Sequence, residues 1–199
     1  MLHLILGSQS PRRRELLRQI GLTFEVRAAD IDETPYETDD PEQTVRATCA
    51  AKAEAVAARS VPGDLILTSD TIVALDGKIL GKPHSAELAV EMLTALSGRE
   101  HTVYTAFTLR PVGGSLPVYT GCEHTLVRFR RLTEEEIRGY VATGEPMDKA
   151  GAYGIQGRGA VLVEGITGDY FTVMGLPVCR VAQKLKEYGF DPLSKGEDR

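Results

Sequence analysis

A short apolar strand, Leu2–Leu6, leads through a small-residue turn, Gly7 to Ser10, into a helix that opens on Pro11 and three arginines, Arg12, Arg13 and Arg14. Proline suits the first helical position, where its missing N–H would be unpaired in any case. Arginine does not suit it. Exposed amide N–H groups already make a helix N-terminus positive, so each arginine there should cost ~0.3–1 kcal/mol. The cost disappears if an anion belongs at that end, and strand, small-residue turn and arginine-rich helix start together describe a phosphate site. The alternative is that the arginines fan into solvent.

At 199 residues the chain has room for one substantial domain, with two lobes at most, and is short for two independent ones. Its hydrophobic content of 42% and charged content of 26% are those of a soluble globule. A net charge of −5 and 6% aromatic residues, without tryptophan, argue against a nucleic-acid surface, which must neutralise many phosphates and stack bases. The basic residues still cluster, since no acid precedes Glu15. A locally positive pocket in an acidic protein suits a small polyanion.

Cys49, Cys122 and Cys179 are far apart and include no C-x-x-C, so neither a zinc ribbon nor a disulfide framework is expected. A reducing cytoplasm is the simplest setting. Leu2–Leu6 is too short for a signal peptide, its arginines follow it, and no apolar stretch reaches transmembrane length, so no membrane role is expected. His3, His84, His101 and His124 show no metal-ligand spacing and read as structural.

Along the chain, helices and strands alternate. The first helix runs from Pro11 to Ile20 with Gly21 as its stop. An acidic loop, Asp30 to Glu42, ends where Asp40 can cap a helix, with Pro41 first and Gln43 placed for a capping box. Asp32 and Glu33 lie too far upstream for capping. They are either solvated loop charge or help to hold a cation. In the helix from Pro41 to Arg59, Val45, Cys49, Lys52 and Val56 fall on one stripe. Lys52 therefore sits on the inward face, either snorkelling to water or aimed as a second cation at the same cleft.

Leu65–Leu75 and Lys78–Leu80 flank Asp76-Gly77, the strongest short hairpin signal. Asp70 thus lies in a hydrophobic strand, where a carboxylate is costly unless paired or bound to metal. A helix capped by Ser85 follows, then strands over His101–Leu109 and Tyr119–Leu132, and a helix opened by the capping-box match Thr133–Glu136 and stopped at Gly144. From Gly144 to Gly175 glycines recur around a brief strand, Ala160–Val163. That stretch is either a mobile loop or backbone moulded around a ligand. A last helix starts at Pro177. The pattern predicts one α/β domain over 1–190 with a mixed sheet, then a polar tail, 191–199. No Walker A motif, dinucleotide fingerprint or nucleophile elbow occurs.

An ordered series of blocks resembles the Maf family of septum-formation-inhibitor-like nucleoside triphosphate pyrophosphatases. It comprises Leu4–Arg13, the Lys52 helix, Ser69–Val73, Gly81-Lys82-Pro83, Leu96–Arg99, Val103-Tyr104-Thr105, Asp148–Gly157 and Gly175-Leu176-Pro177. The resemblance implies a mixed twisted sheet flanked by helices, with two lobes around a central cleft, as in inosine triphosphatases. It also implies metal-assisted hydrolysis of a nucleoside triphosphate to the monophosphate and pyrophosphate. By position, Ser8, Arg13, Lys52 and Lys82 would hold the triphosphate, Glu33 and Asp70 would serve Mg²⁺ or Mn²⁺, and Asp70 would accept the proton. An aspartate of ordinary pKa, about 3.9, is a feeble base, so it would need an acidified water or a raised pKa.

The residues Arg12, Thr71 and Gln156 resemble the dTTP/UTP subgroup rather than the 7-methyl-GTP subgroup. A glutamine amide offers both the donor and the acceptor that uracil or thymine requires. A cytoplasmic enzyme clearing modified pyrimidine nucleotides, and a homodimer, are further implications. The competing reading is a nucleotide-binding regulator of cell division that does not turn its ligand over.

Overall fold

The computed structural model describes residues 2–194, so residues 195–199 of the expected tail lie outside it. β1 (His3–Leu6) enters α1 (Pro11–Gln19), followed by β2 (Glu25–Val26) and α2 (Pro41–Ala57). β3 (Asp64–Leu75) and β4 (Lys78–Leu80) form the hairpin, and α3 (Ala86–Leu96) leads to β5 (Glu100–Pro111) and β6 (Tyr119–Phe129). α4 (Glu134–Val141) is followed by 3-10 turns at Glu145–Asp148, Ala150–Ala152 and Gly157–Leu162. The chain closes with β7 (Val163–Thr167), α5 (Tyr170–Met174) and α6 (Val178–Lys186). No helix among the described residues is long and apolar enough to cross a membrane.

Local chemistry accounts for most boundaries. Ser10, Asp40, Ser85 and Thr133 cap their helices with side-chain oxygens, and Thr133 and Glu136 complete a reciprocal capping box. At α2 the box is one-sided, because the Gln43 amide turns to the Asp40 carboxylate at 3.0 Å instead of to its backbone. Asp76 and Gly77 both have positive φ, 50° and 78°, which a two-residue hairpin turn of this kind demands.

Two expectations need correction. The strand expected over Ala160–Val163 is a 3-10 turn through Leu162, and pairing starts only at Val163. Gly157 there has φ 66°, and Gly159 lies so close to the Gly154 carbonyl that a Cβ would collide with it, so this backbone serves packing rather than a ladder. The strand expected to reach Leu132 stops at Phe129, where the register with β7 breaks. α5 is an addition. Five residues are too few to show a period, although Asp169 caps it and Gly175, at φ 105°, ends it.

The strands make one mixed sheet in the order β2–β1–β3–β5–β6–β7, with β4 also on β3. α2 covers one face, packing Ala53 and Val56 on Ile5 and Ile66, and Val45 and Cys49 on Ala106. The opposite face carries two apolar clusters. One joins Leu65 and Leu67 to Leu16 and Leu17 of α1 and to Val181 and Leu185 of α6. The other joins Val73 and Leu75 to Leu93 and Leu96 of α3 and Ile137 of α4.

The edges of β3 explain where these halves part. β5 pairs along one edge continuously, from Leu65 to Ala74. On the other edge, β1 runs parallel beside Asp64–Leu67 and β4 antiparallel beside Val73–Leu75. Between them, among the described residues, 68–72 have no strand beside them on that edge. Asp70 is at the centre of this opening.

Candidate active site

Asp70 is 9% exposed and lies on the β3 face that α2 covers. A carboxylate so placed needs a partner, and α2 supplies one. Lys52 Nζ is 2.6 Å from Asp70 Oδ1 and 2.8 Å from Glu33 Oε1. The stripe places it there, for Val45, Cys49 and Val56 are buried and carry Lys52 inward with them. Burial pulls the Lys52 pKa down, but the charges and hydrogen bonds of Asp70 and Glu33 outweigh it and leave the pKa above its ordinary value. Glu33, 53% exposed, forms the rim of the group. Its neighbour Asp32 accepts from the Thr34 N–H at 3.0 Å, so the two acids of the loop have different work.

A second group meets the first at the neighbouring residue of β3. Arg13 donates from Nε to the Gly175 carbonyl at 2.7 Å, from Nη1 to Ser8 Oγ at 3.1 Å and from Nη2 to Thr71 Oγ1 at 3.1 Å. Burial lowers its pKa, opposed chiefly by the charge of Asp70. Thr105 donates to the Thr172 carbonyl at 2.7 Å, which leaves its oxygen to accept from Thr71 at 2.9 Å. Thr71 therefore gives its single proton to Thr105 and accepts from Arg13. The Gly175 carbonyl also accepts from Ser69 Oγ at 2.9 Å. Three acceptors thus hold the planar guanidinium, a degree of fixation that lysine could not receive.

The arginine triplet divides. Arg13 turns inward, Arg14 donates to the Gln9 carbonyl at 3.1 Å, and the charge of Arg12 is felt at Asp148 in the late loop. There the Asp148 carboxyl is held below the usual range, first by its hydrogen bond from Lys149 and more weakly by the Arg12 charge.

The remaining expected residues, Lys82 and Gln156, make no hydrogen bond or ion pair with these two groups among the described residues. Lys82 is exposed. It lies two residues beyond Leu80, the last residue of β4, which pairs with Val73. Its neighbour Gly81 accepts from the Gly151 N–H at 3.0 Å. Gln156 is half-buried at the start of the Gly157–Leu162 turn. Ser8, Arg13 and Thr71 are in mutual contact through Arg13, then, as are Glu33, Lys52 and Asp70 through Lys52, while no hydrogen bond or ion pair among the described residues joins Arg12, Lys82 or Gln156 to either group. Residue reading missed Ser69, Thr105 and the Gly175 carbonyl as supports. Ser69 and Thr105 are hydroxyls in buried strands, which always need a partner, and that was the available signal.

Glu33 and Asp70 also bear on the metal question. Among the described residues no group of three His, Cys, Asp or Glu side chains converges. Two carboxylates already sharing one cation are nevertheless the donor set Mg²⁺ commonly uses, with substrate phosphates and water completing its shell. The residues fit the expected ion.

Comparison with known proteins identifies the family. A family model described as Maf-like protein matches residues 3–188. A protein of Moorella thermoacetica named dTTP/UTP pyrophosphatase is 51% identical over 193 residues, covering 96% of this chain and 97% of its own. One of Symbiobacterium thermophilum with the same name is 47% identical, covering 98% and 99%. The solved HAM1 protein of Coxiella burnetii is similar in fold, with a TM-score of 0.51 at 18% identity over 94% of this chain and 100% of that one. The chain belongs to the Maf family.

Proposed function

We propose that this Maf-family protein hydrolyses dTTP and UTP to the nucleoside monophosphate and pyrophosphate. The observation that carries the reading is a pair of fixed cations on adjacent residues of one strand, Lys52 on the Asp70 carboxylate and Arg13 on Thr71. Relatives that share about half of its residues over nearly its whole length bear that activity in their names.

The chemistry follows from charge. A triphosphate tail repels any anionic base until cations surround it, and Arg13 and Lys52 are held in place before it arrives, so little reorganisation is required. Ser8 adds a hydroxyl, and Lys82 reaches the tail from the β4 side of the opening. Glu33 and Asp70 would hold a divalent cation, which supplies charge neutralisation and a more acidic water. Asp70 accepts the proton of the attacking water as its oxygen bonds to the α-phosphorus. The bond from that phosphorus to the bridging oxygen breaks, and pyrophosphate leaves with the electron pair. Gln156 meets the base with one donor and one acceptor, the pattern of O4 and N3–H in uracil and thymine.

The test is pyrophosphate release from UTP, dTTP, CTP, GTP and 7-methyl-GTP with Mg²⁺ or Mn²⁺. Turnover of UTP and dTTP is expected. Turnover of 7-methyl-GTP alone would overturn the base assignment, and saturable UTP binding without release under both metals would overturn the enzyme reading.

A further inference from the structure

We infer that Glu145 is a positioning residue for base selection: its carboxylate fixes the turn that follows Gln156 and so aims the Gln156 amide at the base. The inference rests on the proposed activity and on Gln156 as the residue that meets the base.

Glu145 opens the Glu145–Asp148 turn, just after Gly144 in the left-handed region at φ 75°. Its carboxylate accepts three hydrogen bonds. Tyr140 Oη donates to Oε1 at 2.9 Å, the Gly159 N–H to Oε1 at 3.0 Å and the Arg158 N–H to Oε2 at 3.0 Å. The Tyr140 hydroxyl in turn accepts from the Gly154 N–H at 3.2 Å. Both ends of the segment from Gly154 to Gly159 are thereby fastened to one acid. Its main chain takes part as well, since Lys149 Nζ donates to the Glu145 carbonyl at 2.6 Å while the Lys149 stem lies against Gly154.

The glycines make this approach feasible. A Cβ on Gly157 would come 2.7 Å from Glu145 Oε2, and one on Gly159 would come 2.7 Å from the Tyr140 hydroxyl. Bonds from backbone N–H groups to a carboxylate are charge-assisted and about twice as strong as neutral ones. The hydrogen bonds to Arg158, Gly159 and Tyr140 hold the Glu145 pKa below its usual value although burial acts the other way.

Gln156 stands inside this frame. Its backbone is extended, at φ −98° and ψ 173°, and its side chain makes no capping hydrogen bond to the turn it opens. Recognition by an amide depends on its being held within about 0.5 Å of the productive position, and that is what anchoring the residues beside it achieves.

The experiment compares Glu145→Ala, Gln156→Ala and the double variant for pyrophosphate release from UTP. Inhibition by inorganic tripolyphosphate, which has phosphates and no base, is measured in parallel. Each single variant should raise KM for UTP about tenfold with kcat within about threefold, and the double variant should be no worse than either. Tripolyphosphate inhibition should stay at the wild-type level. An unchanged KM in either single variant, multiplicative losses in the double variant, or tripolyphosphate inhibition weakened in step would overturn the inference. If Glu145→Ala does not fold, Glu145→Gln and Tyr140→Phe are judged by the same three criteria. Wild-type protein that releases no pyrophosphate from UTP would refute the activity itself. Wild-type turnover with insensitive Glu145 variants would refute only the role of Glu145.

Discussion

The ammonium of Lys52 lies 2.6 Å from the Asp70 carboxylate, in a contact whose side chains are only 15% and 12% exposed. Each partner is predicted to fail in a different way. Asp70→Asn keeps the shape and removes the proton acceptor, so pyrophosphate release should fall ~10²-fold or more. Lys52→Met strands a nearly buried carboxylate. It should cost about 1–3 kcal/mol by urea denaturation, less than for a fully enclosed pair because the Glu33 side is open to water. Asp70→Asn at the wild-type rate would remove Asp70 from the chemistry.

Thr71 gives a sharper choice. Its hydroxyl is engaged by Arg13 and Thr105, which makes it a support for the guanidinium. Thr71→Val should raise KM for UTP several-fold, leave the ratio of UTP to CTP turnover unchanged, and be rescued by Thr71→Ser. A changed ratio at constant KM would show that Thr71 reads the base, as the family resemblance implied.

Gly151 holds the late loop against the β4 side of the opening. At φ 68°, and with a Cβ due within 2.9 to 3.1 Å of Val73 side-chain atoms, Gly151→Ala should destabilise by ~1–3 kcal/mol. A thermal melt within one degree of wild type would contradict the close packing described here.

His101, 3% exposed, contacts the Tyr153 hydroxyl at 2.7 Å through Nε2, and its Nδ1 has no partner. Burial lowers its pKa from 6.5 to about 4. Below pH 6.5 the unfolded chain takes up a proton that the folded chain refuses, so this contribution is complete above 6.5 and is lost as pH falls toward 4. Between pH 7 and pH 5 the loss should be roughly 2 kcal/mol. Urea denaturation at both values should show it in wild type and not in His101→Gln, which cannot titrate.

How much of this was readable depended on range. The hairpin at Asp76-Gly77 and the caps at Ser85 and Thr133 are decided within a few residues, and they appeared as expected. The inward aim of Lys52 followed from helical periodicity alone. Its partners did not, since Asp70 comes from another element and Glu33 from an irregular loop. Nothing in Arg12-Arg13-Arg14 reveals which arginine turns in, because the carbonyl that fixes Arg13 belongs to Gly175, 162 positions away. The turn before β7 was misread for a related reason. Its apolar residues resemble a strand, while its conformation answers to Glu145 and Gly154.

The bare stretch of β3 has a mechanical consequence. Over residues 68–72, among the described residues, β3 is hydrogen-bonded to a strand on its β5 edge and not on its other edge, like a ladder with rungs missing from one rail. A polyanion gripped by Ser8 and Arg13 on one side and by Lys82 on the other would act as a strut across the break, joining the two ends of that edge.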